Sequence, residues 1–204
     1  MIFSDHDFKE RLKKDLIITP LDLKTQLGPS SVDLRLGNRF RQFKMSDHAF
    51  IDPADYNDRV HREWTTENGT KVTECEYSRL YEEDKPFIIH PGDFVLASIL
   101  EHVEIPNDLI GHLEGRSSLG RMGLMVHSTA GYIDPGFKGN ITLELANVGK
   151  LPIKLYPGMR VCQIVIQKLL SPCDVPYGVR PGSKYLNEKG ATQSRIEMDF
   201  KKDK

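Results

Sequence analysis

The residues between Gly115 and Glu144 carry the side chains best suited to chemistry in this chain. Glycine turns there lie next to arginines, which bind phosphate oxygens, and next to carboxylates, which accept protons. The set comprises Arg116, Ser117, Ser118, Arg121, Asp134 and Glu144. This combination predicts a nucleotide site that holds a polyphosphate and activates a water molecule.

The run from Arg116 to Arg121 contains two forked cations, two hydroxyls and a glycine. Arginine forks suit phosphate oxygens, and glycines let backbone N–H groups approach the same oxygens. The run is not a P-loop, because no Gly-Lys-Ser/Thr follows a four-residue gap. Taken alone, an Arg-Ser-Ser tripeptide is more often a surface turn, so both interpretations stay open at this point.

Glu144 lies on a segment that alternates as a strand does. Ile141, Leu143 and Leu145 fall on one face, and Thr142 and Glu144 fall on the other. If the apolar face is the core, Glu144 is either an ordinary exposed glutamate or a functional carboxylate in a pocket between subunits. Spacing alone slightly favours the exposed glutamate.

Other hydrolytic chemistries fit the sequence poorly. His61-Arg62-Glu63 and His102-Val103-Glu104 match half of a zinc deaminase motif, but Pro172-Cys173 lacks the second cysteine that the motif requires. Gly115-Arg116-Ser117-Ser118-Leu119 lacks the second glycine of a serine hydrolase elbow. We interpret His127 as a packing or turn residue. Water activated by a carboxylate is the simplest remaining chemistry, without zinc.

The composition of the whole chain indicates one domain spanning residues 1–204. Its 204 residues suffice for one substantial core, and a net charge of -1 gives no field for binding long nucleic acid. We expect a small anionic ligand, no membrane span, no signal peptide and a cytoplasmic protein. The three cysteines form no close pair; we expect Cys162 to be buried and the other two to be incidental.

Local patterns predict a mainly β chain with one N-terminal helix. Ser4 and Asp7 cap a helix that presents Phe8, Leu12 and Leu16 at roughly helical spacing. Residues 31–36 alternate as a strand that Gly37 is expected to end, and residues 39–43 begin another strand.

Short strands separated by Pro-Gly turns favour a sandwich, jelly roll or distorted barrel. Residues 88–97 and 154–163 each combine a strand, a Pro-Gly turn and a second strand. Polar residues from about 46 to 84 form an excursion that we expect to be an insertion or mobile loop. From Ser171 the apolar content falls, which indicates either a solvated terminus or a C-terminal lid, mobile near residues 178–204.

Several motifs together resemble the dCTP deaminases, trimeric relatives of the all-β dUTPases. The resemblance covers most of the chain except the excursion. It is carried by the N-terminal Ser-Asp-His-Asp helix and by residues 28–37, 115–144, 155–163 and 183–185. The fold it implies is a dUTPase-like distorted β-barrel or jelly roll with an N-terminal helix and a C-terminal lid.

The resemblance also implies roles for individual residues. Glu144 would shuttle the proton in a zinc-free deamination, and Arg121 and Ser117 would position the water and the carboxylate. Asp134 would contact the deoxyribose, and Mg²⁺ would bind through phosphate oxygens without a direct protein ligand. Sites would lie between the subunits of a homotrimer, and dTTP is a possible inhibitor. The further substrate-binding residues would be Arg116, Ser118, Leu119, Gly120, Thr142, Leu143, Gln163, Tyr177, Lys184 and Glu188.

Gly131, followed by Tyr132, indicates the branch of the family. Monofunctional deaminases typically have histidine after Thr-Ala, whereas Thr129-Ala130-Gly131 is similar to bifunctional members that release dUMP and diphosphate. A glycine would leave room for a second water near the α-phosphate. One departure is Glu188 where the family has glutamine, since a carboxylate near a triphosphate needs a compensating cation.

The leading hypothesis is therefore a bifunctional dCTP deaminase that forms dUMP. The alternatives are a monofunctional deaminase that releases dUTP, a dUTPase without deaminase activity, and a non-catalytic nucleotide-binding β trimer. The last two are disfavoured because Arg121 and Glu144 are both present.

Overall fold

Short strands joined by tight turns make up most of the chain. The computed structural model describes residues 1–45 and 49–200. Its helices in these ranges are α1 (Asp5–Leu12), α2 (Leu23–Gln26), α3 (Ser117–Gly120) and the 3-10 helix Ile196–Asp199. The strands are β1 (Ile17–Thr19), β2 (Val32–Phe43), β3 (Val60–Thr65), β4 (Lys71–Cys75), β5 (Ser78–Glu82), β6 (Phe87–Ile89), β7 (Phe94–Ile99), β8 (His102–Glu104), β9 (Leu109–Gly115), β10 (Leu124–Met125), β11 (Tyr132–Ile133), β12 (Lys138–Gly139), β13 (Thr142–Asn147), β14 (Ile153–Leu155) and β15 (Arg160–Lys168).

Within residues 1–45 and 49–200, the strands form three sheets that share one apolar core. The largest has the order β10-β13-β7-β2-β15-β9-β11, and β5, β4 and β3 extend it from β2. The smaller sheets are β1-β8-β12 and β14-β6. In the core, Phe40 stacks on Phe87 with ring centroids 4.5 Å apart. The predicted mainly β class, a distorted barrel or jelly roll with an N-terminal helix, is confirmed.

The N-terminal helix begins where its capping residues predict. The Ser4 side chain accepts a hydrogen bond from the Asp7 backbone N–H, and the Asp7 carboxylate accepts one from the Ser4 N–H, which forms a capping box. Phe8 is fully buried and packs edge-on against Phe3. Leu16 is also buried, but it lies beyond the end of the helix at Leu12.

Strand β2 is one continuous element, so the prediction that Gly37 ends it was wrong. Its first part pairs with β15, and its second part pairs with β7 and β5 across an irregular register near Gly37. A Cβ atom at Gly37 would lie 2.5 Å from the Ser98 Oγ. The glycine therefore lets β7 approach closely, and the strand bends without stopping.

Most of the polar excursion forms a three-stranded antiparallel meander of β3, β4 and β5. Its outer strand β3 is exposed throughout, which explains why no apolar period marks it in the sequence. Glu74 pairs with Arg62 and Arg79, and these contacts lower the pKa of its carboxyl to about 2. The sequence did not predict these strands, and residues 46–48 lie outside the described residues. That the excursion is an insertion stays a prediction.

The base of the meander contains a buried ion pair. Arg41 on β2 contacts Asp58 and Ser78, and all three side chains are buried. Cys75 is fully buried beside Arg41, with Sγ 3.5 Å from its Nη1. Cys75, which we expected to be incidental, is thus part of this buried base, and the buried position of Cys162 is confirmed. Burial raises the pKa of the Cys162 thiol.

The two Pro-Gly segments form corresponding turns. Gly92 and Gly158 both have φ near +85°, at +84° and +85°, as a type II turn requires. The strands that precede the turns, β6 and β14, pair with each other. The strands that follow, β7 and β15, both pair with β2.

The C-terminal tail packs against the body over its described part. Asn140 N–H donates to the Glu188 carbonyl at 2.9 Å, and Asn187 N–H donates to the Lys138 carbonyl at 2.8 Å. Gly190 and Ala191 are buried. That the tail moves as a lid stays a prediction, and residues 201–204 lie outside the described residues. Among the residues described, no helix has the length and apolar character of a membrane span.

Candidate active site

Glu144 lies on strand β13, on the face opposite the apolar core. Leu143 and Leu145 are fully buried, while Thr142 and Glu144 are half-buried on the opposite face, so the predicted alternation is confirmed. The Glu144 Oε2 accepts hydrogen bonds from the backbone N–H groups of Ser128 at 2.9 Å and Thr129 at 3.3 Å. These two donors fix the orientation of the carboxylate.

A cavity of about 430 Å³ opens next to Glu144. This volume suits a small-molecule ligand, since such pockets range over roughly 300–1,000 Å³. Six residues of the predicted site line it: Tyr132, Asp134, Thr142, Glu144, Tyr177 and Glu188. Because Glu144 lines this cavity, the structure favours a carboxylate in a pocket over an ordinary exposed glutamate.

Asp134 reaches the cavity from the turn after β11. Its carbonyl accepts from the Phe137 N–H at 3.2 Å, and Gly136 between them has φ +82°, which glycine adopts readily. The Gly136 N–H donates to the Ile105 carbonyl at 2.9 Å, and the Tyr177 N–H donates to the Pro135 carbonyl at 2.8 Å. The turn is thereby held against both the body and the tail.

The predicted phosphate residues form a second cluster on and around α3. Ser117 and Ser118 are exposed at the start of the helix. Arg116 is half-buried, with its Nε 3.5 Å from the Asp33 carboxylate. The Ser31 Oγ donates to the Gln163 Oε1 at 3.0 Å on the neighbouring β15. The cluster offers cations and hydroxyls suited to phosphate oxygens.

The α3 cluster and the cavity do not meet within one chain. None of the described cavity-lining residues belongs to the run from Arg116 to Arg121. Strand β10 pairs with β13, and just beyond this pairing the Val148 N–H donates to the Gly123 carbonyl. Val148 lies four residues after Glu144 in the chain. Arg121 lies two residues before Gly123, and therefore still further from Glu144. The predicted trio of Glu144, Arg121 and Ser117 is not assembled in a single chain.

The side chains of Leu119 and Leu143 belong to the core. Leu119 is 6% exposed and Leu143 is fully buried. The prediction that they bind substrate therefore cannot rest on their side chains. The backbone of β13 at Leu143 pairs with Ala97.

The tail supplies the other wall of the cavity. The Tyr177 hydroxyl accepts from the backbone N–H groups of Lys184 at 3.1 Å and Tyr185 at 2.8 Å. The Lys184 ammonium pairs with Asp199 at 2.5 Å, and Lys184 is not among the residues that line the cavity. Tyr177 thus lines the cavity, and Lys184 is held next to it by its backbone. That these two residues bind the triphosphate stays a prediction.

Glu188 has the compensating cation that its charge requires. The Arg195 guanidinium donates to the Glu188 Oε1, and the Thr192 hydroxyl donates to Oε2 at 3.1 Å. The Arg195 guanidinium also lies over the Tyr185 ring, 5.8 Å from its centroid. The negative charge that Glu188 brings in place of glutamine is thereby compensated by Arg195 within the tail.

Comparison with known proteins decides the family. The dCTP deaminase-like family model matches residues 2–169. A dUMP-forming dCTP deaminase of Dictyoglomus turgidum is 49% identical over 202 residues, which cover 98% of this chain and 97% of that protein. The chain belongs to the dCTP deaminase-like family.

Two further relatives of this dCTP deaminase-like chain are informative. A protein of Halorubrum lacusprofundi named dCTP deaminase is 47% identical over 98% of this chain and 93% of its own length. The crystal structure of 2'-deoxycytidine 5'-triphosphate deaminase from Agrobacterium tumefaciens matches 82% of this chain with a TM-score of 0.58 and 19% identity. The chain spans 48% of that longer chain, and this likeness shows the shared fold.

Gly131 sets the path of a loop in this dCTP deaminase-like chain. A Cβ atom there would lie 3.1 Å from the Leu113 carbonyl oxygen and 3.2 Å from the His127 ring. The neighbours Ala130 and Tyr132 line the cavity, whereas Gly131 does not. A side chain at this position would therefore press on the loop. That the glycine leaves room for a second water near the α-phosphate stays a prediction.

Several cavity residues were missed by the sequence analysis. They are Leu96, Ala130, Ile133, Phe137, Asn140, Ile141, Tyr185, Thr192 and Ser194. Tyr185 directly follows Lys184, a predicted site residue, so its position in the sequence could have indicated it. Thr192 and Ser194 lie in a polar tail without periodicity, and no local pattern marks them.

Proposed function

We propose that this protein is a bifunctional dCTP deaminase that converts dCTP and two water molecules to dUMP, ammonia and diphosphate. The observation that carries the proposal is Glu144, a carboxylate fixed by two backbone amides beside a nucleoside-sized cavity. Membership of the dCTP deaminase-like family and the name of the Dictyoglomus turgidum relative support the same conclusion.

Glu144 acts as the proton shuttle in the first reaction. It removes a proton from a water molecule while the water oxygen forms a bond to C4 of cytosine. The carboxylic acid then gives this proton to the ring N3. The restored carboxylate takes the second proton from the new C4 hydroxyl and passes it to the amino group, so that a C4=O bond forms, the C4–N4 bond breaks and ammonia leaves. Because Oε2 is occupied by the Ser128 and Thr129 amides, we assign the proton transfer to Oε1.

The complete site requires a second copy of the chain. The cavity supplies Glu144, Asp134 and the tail wall, and the α3 cluster supplies Arg116, Ser117, Ser118 and Arg121 from another part of the surface. A closed homotrimer would place the α3 cluster of one subunit against the cavity of its neighbour. Arg121 and Ser117 would then orient the water and the Glu144 carboxylate across the interface.

Mg²⁺ fits this arrangement as an ion held by the triphosphate. The α3 cluster presents arginines and hydroxyls, which bind phosphate oxygens, and the Asp33 carboxylate beside it is paired with Arg116 and Arg160. Mg²⁺ commonly uses substrate phosphates and water as ligands, and it would neutralise charge on the leaving diphosphate. Inhibition by dTTP and a cytoplasmic location stay predictions.

Product analysis tests the proposal. Purified protein is incubated with dCTP and Mg²⁺, and the nucleotides are separated by anion exchange. We expect dUMP, ammonia and diphosphate in equal amounts. Accumulation of dUTP without dUMP would instead establish the monofunctional activity and refute the proposal.

A variant pair tests the role of Glu144. Glu144→Gln keeps the shape of the side chain but removes the proton acceptor, so we expect deamination to fall by about 100-fold or more. Glu67→Gln, on an exposed turn of the meander, is the matched control and should retain parent activity. Full deamination by Glu144→Gln would contradict the mechanism.

A further inference from the structure

One buried cation joins the body, the meander and the tail. The Arg41 guanidinium donates to the Asp58 carboxylate at 3.1 Å, to the Ser78 hydroxyl at 2.7 Å and to the Ala191 carbonyl at 3.0 Å. Arg41 is 7% exposed and Asp58 is 1% exposed. A buried charge pair with this many hydrogen bonds fixes the positions of its partners, because an alternative arrangement would leave a charge unpaired.

The tail adopts an unusual backbone where Arg41 contacts it. Gly190 has φ +76° and Ala191 has φ +52°, and the left-handed region is unfavourable for a residue with a side chain. A Cβ atom at Gly190 would lie 2.2 Å from the Ser98 Cβ, so the tail backbone rests directly on β7. Such a conformation persists only where the surroundings hold it.

The residues on either side of this contact form the cavity wall. Glu188 and Thr192 both line the cavity, and they are hydrogen-bonded to each other at 3.1 Å. Ser98 lies opposite Thr142 in the sheet, and Thr142 lines the same cavity from the body. The tail contact and the pocket therefore share β7 and β13 as their support.

We propose that Arg41 is a positioning residue that holds residues 187–192 in place as a wall of the nucleotide cavity. Arg41 acts through the Ala191 carbonyl and has no part in the chemistry. The meander contributes because Asp58 and Ser78 orient the guanidinium toward the tail. The effect on catalysis rests on the proposed dCTP deaminase function, whereas the effect on the tail does not.

The first experiment displaces the tail without changing any charge. In Gly190→Ala, the new methyl group would clash with Ser98, so we expect trypsin to cleave after Lys189 about tenfold faster. The KM for dCTP should rise about fivefold, as for the loss of one hydrogen-bonded contact, while kcat stays within about twofold. The matched control is Gly69→Ala, because Gly69 has φ +85° but nothing within 4 Å of its Cβ position.

The second experiment removes the anchor itself. In Arg41→Met/Asp58→Asn, both buried charges are absent, and the asparagine can still accept from the Tyr77 N–H that Asp58 binds at 2.7 Å. We expect the same rise in trypsin cleavage and KM. Asp58→Asn alone removes the carboxylate that orients Arg41, so we expect trypsin cleavage of the tail to rise in this variant as well.

These measurements separate the two proposals. Parent-like trypsin rates and KM values in Gly190→Ala and in the folded double variant would overturn the role of Arg41. If the double variant does not fold, Arg41→Lys decides, because it keeps a charge beside Asp58 but lacks the Nε–H that donates to the Ala191 carbonyl. A parent-like trypsin rate in Arg41→Lys would overturn the role of Arg41. If the parent lacks deaminase activity, the proposed function fails, and the trypsin rates still test the anchor.

Discussion

Mixing two inactive variants, Glu144→Gln and Arg121→Ala, is expected to restore deamination. Each variant alone lacks one of the two groups that the reaction needs. Within one chain, Glu144 lies four residues before Val148, the partner of Gly123, a separation of roughly 13 Å along the strand. Arg121 lies beyond Gly123, so an intact pair must come from two different chains.

The expected recovery follows from random assembly of the mixed trimers. A site is intact when its glutamate comes from an Arg121→Ala chain and its arginine from a Glu144→Gln chain. With equal amounts, each condition holds for about half of the chains, so about one quarter of the sites are intact. Among these, each trimer that contains both variants has one intact site of three. Purified mixed trimers should therefore deaminate dCTP at about a third of the parent rate per site.

The assay measures ammonia release from dCTP after co-expression of the two variants with different affinity tags. Complexes that carry both tags are purified before measurement, so that only mixed assemblies contribute. Unmixed variants serve as the baseline. A mixed preparation that stays at this baseline would show that Arg121 acts on Glu144 of its own chain and that the site is not shared between subunits.

Three further predictions follow from particular contacts. Gly131→His should shift the products from dUMP toward dUTP at least several-fold. Its Cβ would press on the His127 ring at 3.2 Å, and its side chain would fill the room expected for the second water; product ratios by anion exchange check this. Gly37→Ala should lower the free energy of unfolding by about 1–3 kcal/mol, because its methyl group would lie 2.5 Å from the Ser98 Oγ; urea titration measures the loss, and an unchanged midpoint would contradict the close packing. The pKa of Glu74 is lowered to about 2 by its arginine partners, so its stabilisation is complete above about 4.5 and is lost as pH falls toward 2; Glu74→Gln should flatten this part of the stability profile.

Local periodicity was enough to predict the elements that carry the site. The alternation of residues 141–145 placed Glu144 opposite the core, and the capping pair at Ser4 and Asp7 located α1. Pro-Gly turns located β6, β7, β14 and β15. In each case the deciding interactions lie within a few residues of one another, so the sequence contains them.

Long-range contacts account for what the sequence did not predict. In the sequence, Gly37 resembles a residue that ends a strand. Its actual role depends on Ser98, which is distant in the chain and packs next to it in the fold. The strand β3 has both faces exposed, so no apolar alternation marks it. The division of the site is also hidden in the sequence, because Arg121 and Glu144 are close in number but lie at different ends of the β10–β13 pair.

The pairing of β2 has a consequence for synthesis of the protein. This strand pairs with β5 and β7 soon after it in the chain, but its first half pairs with β15, which begins at Arg160. At typical ribosomal rates of about 5–20 residues per second, roughly 6–25 s separate the two strands. During that interval the nascent chain exposes the unpaired first half of β2, an edge that can pair with strands of other chains until β15 emerges.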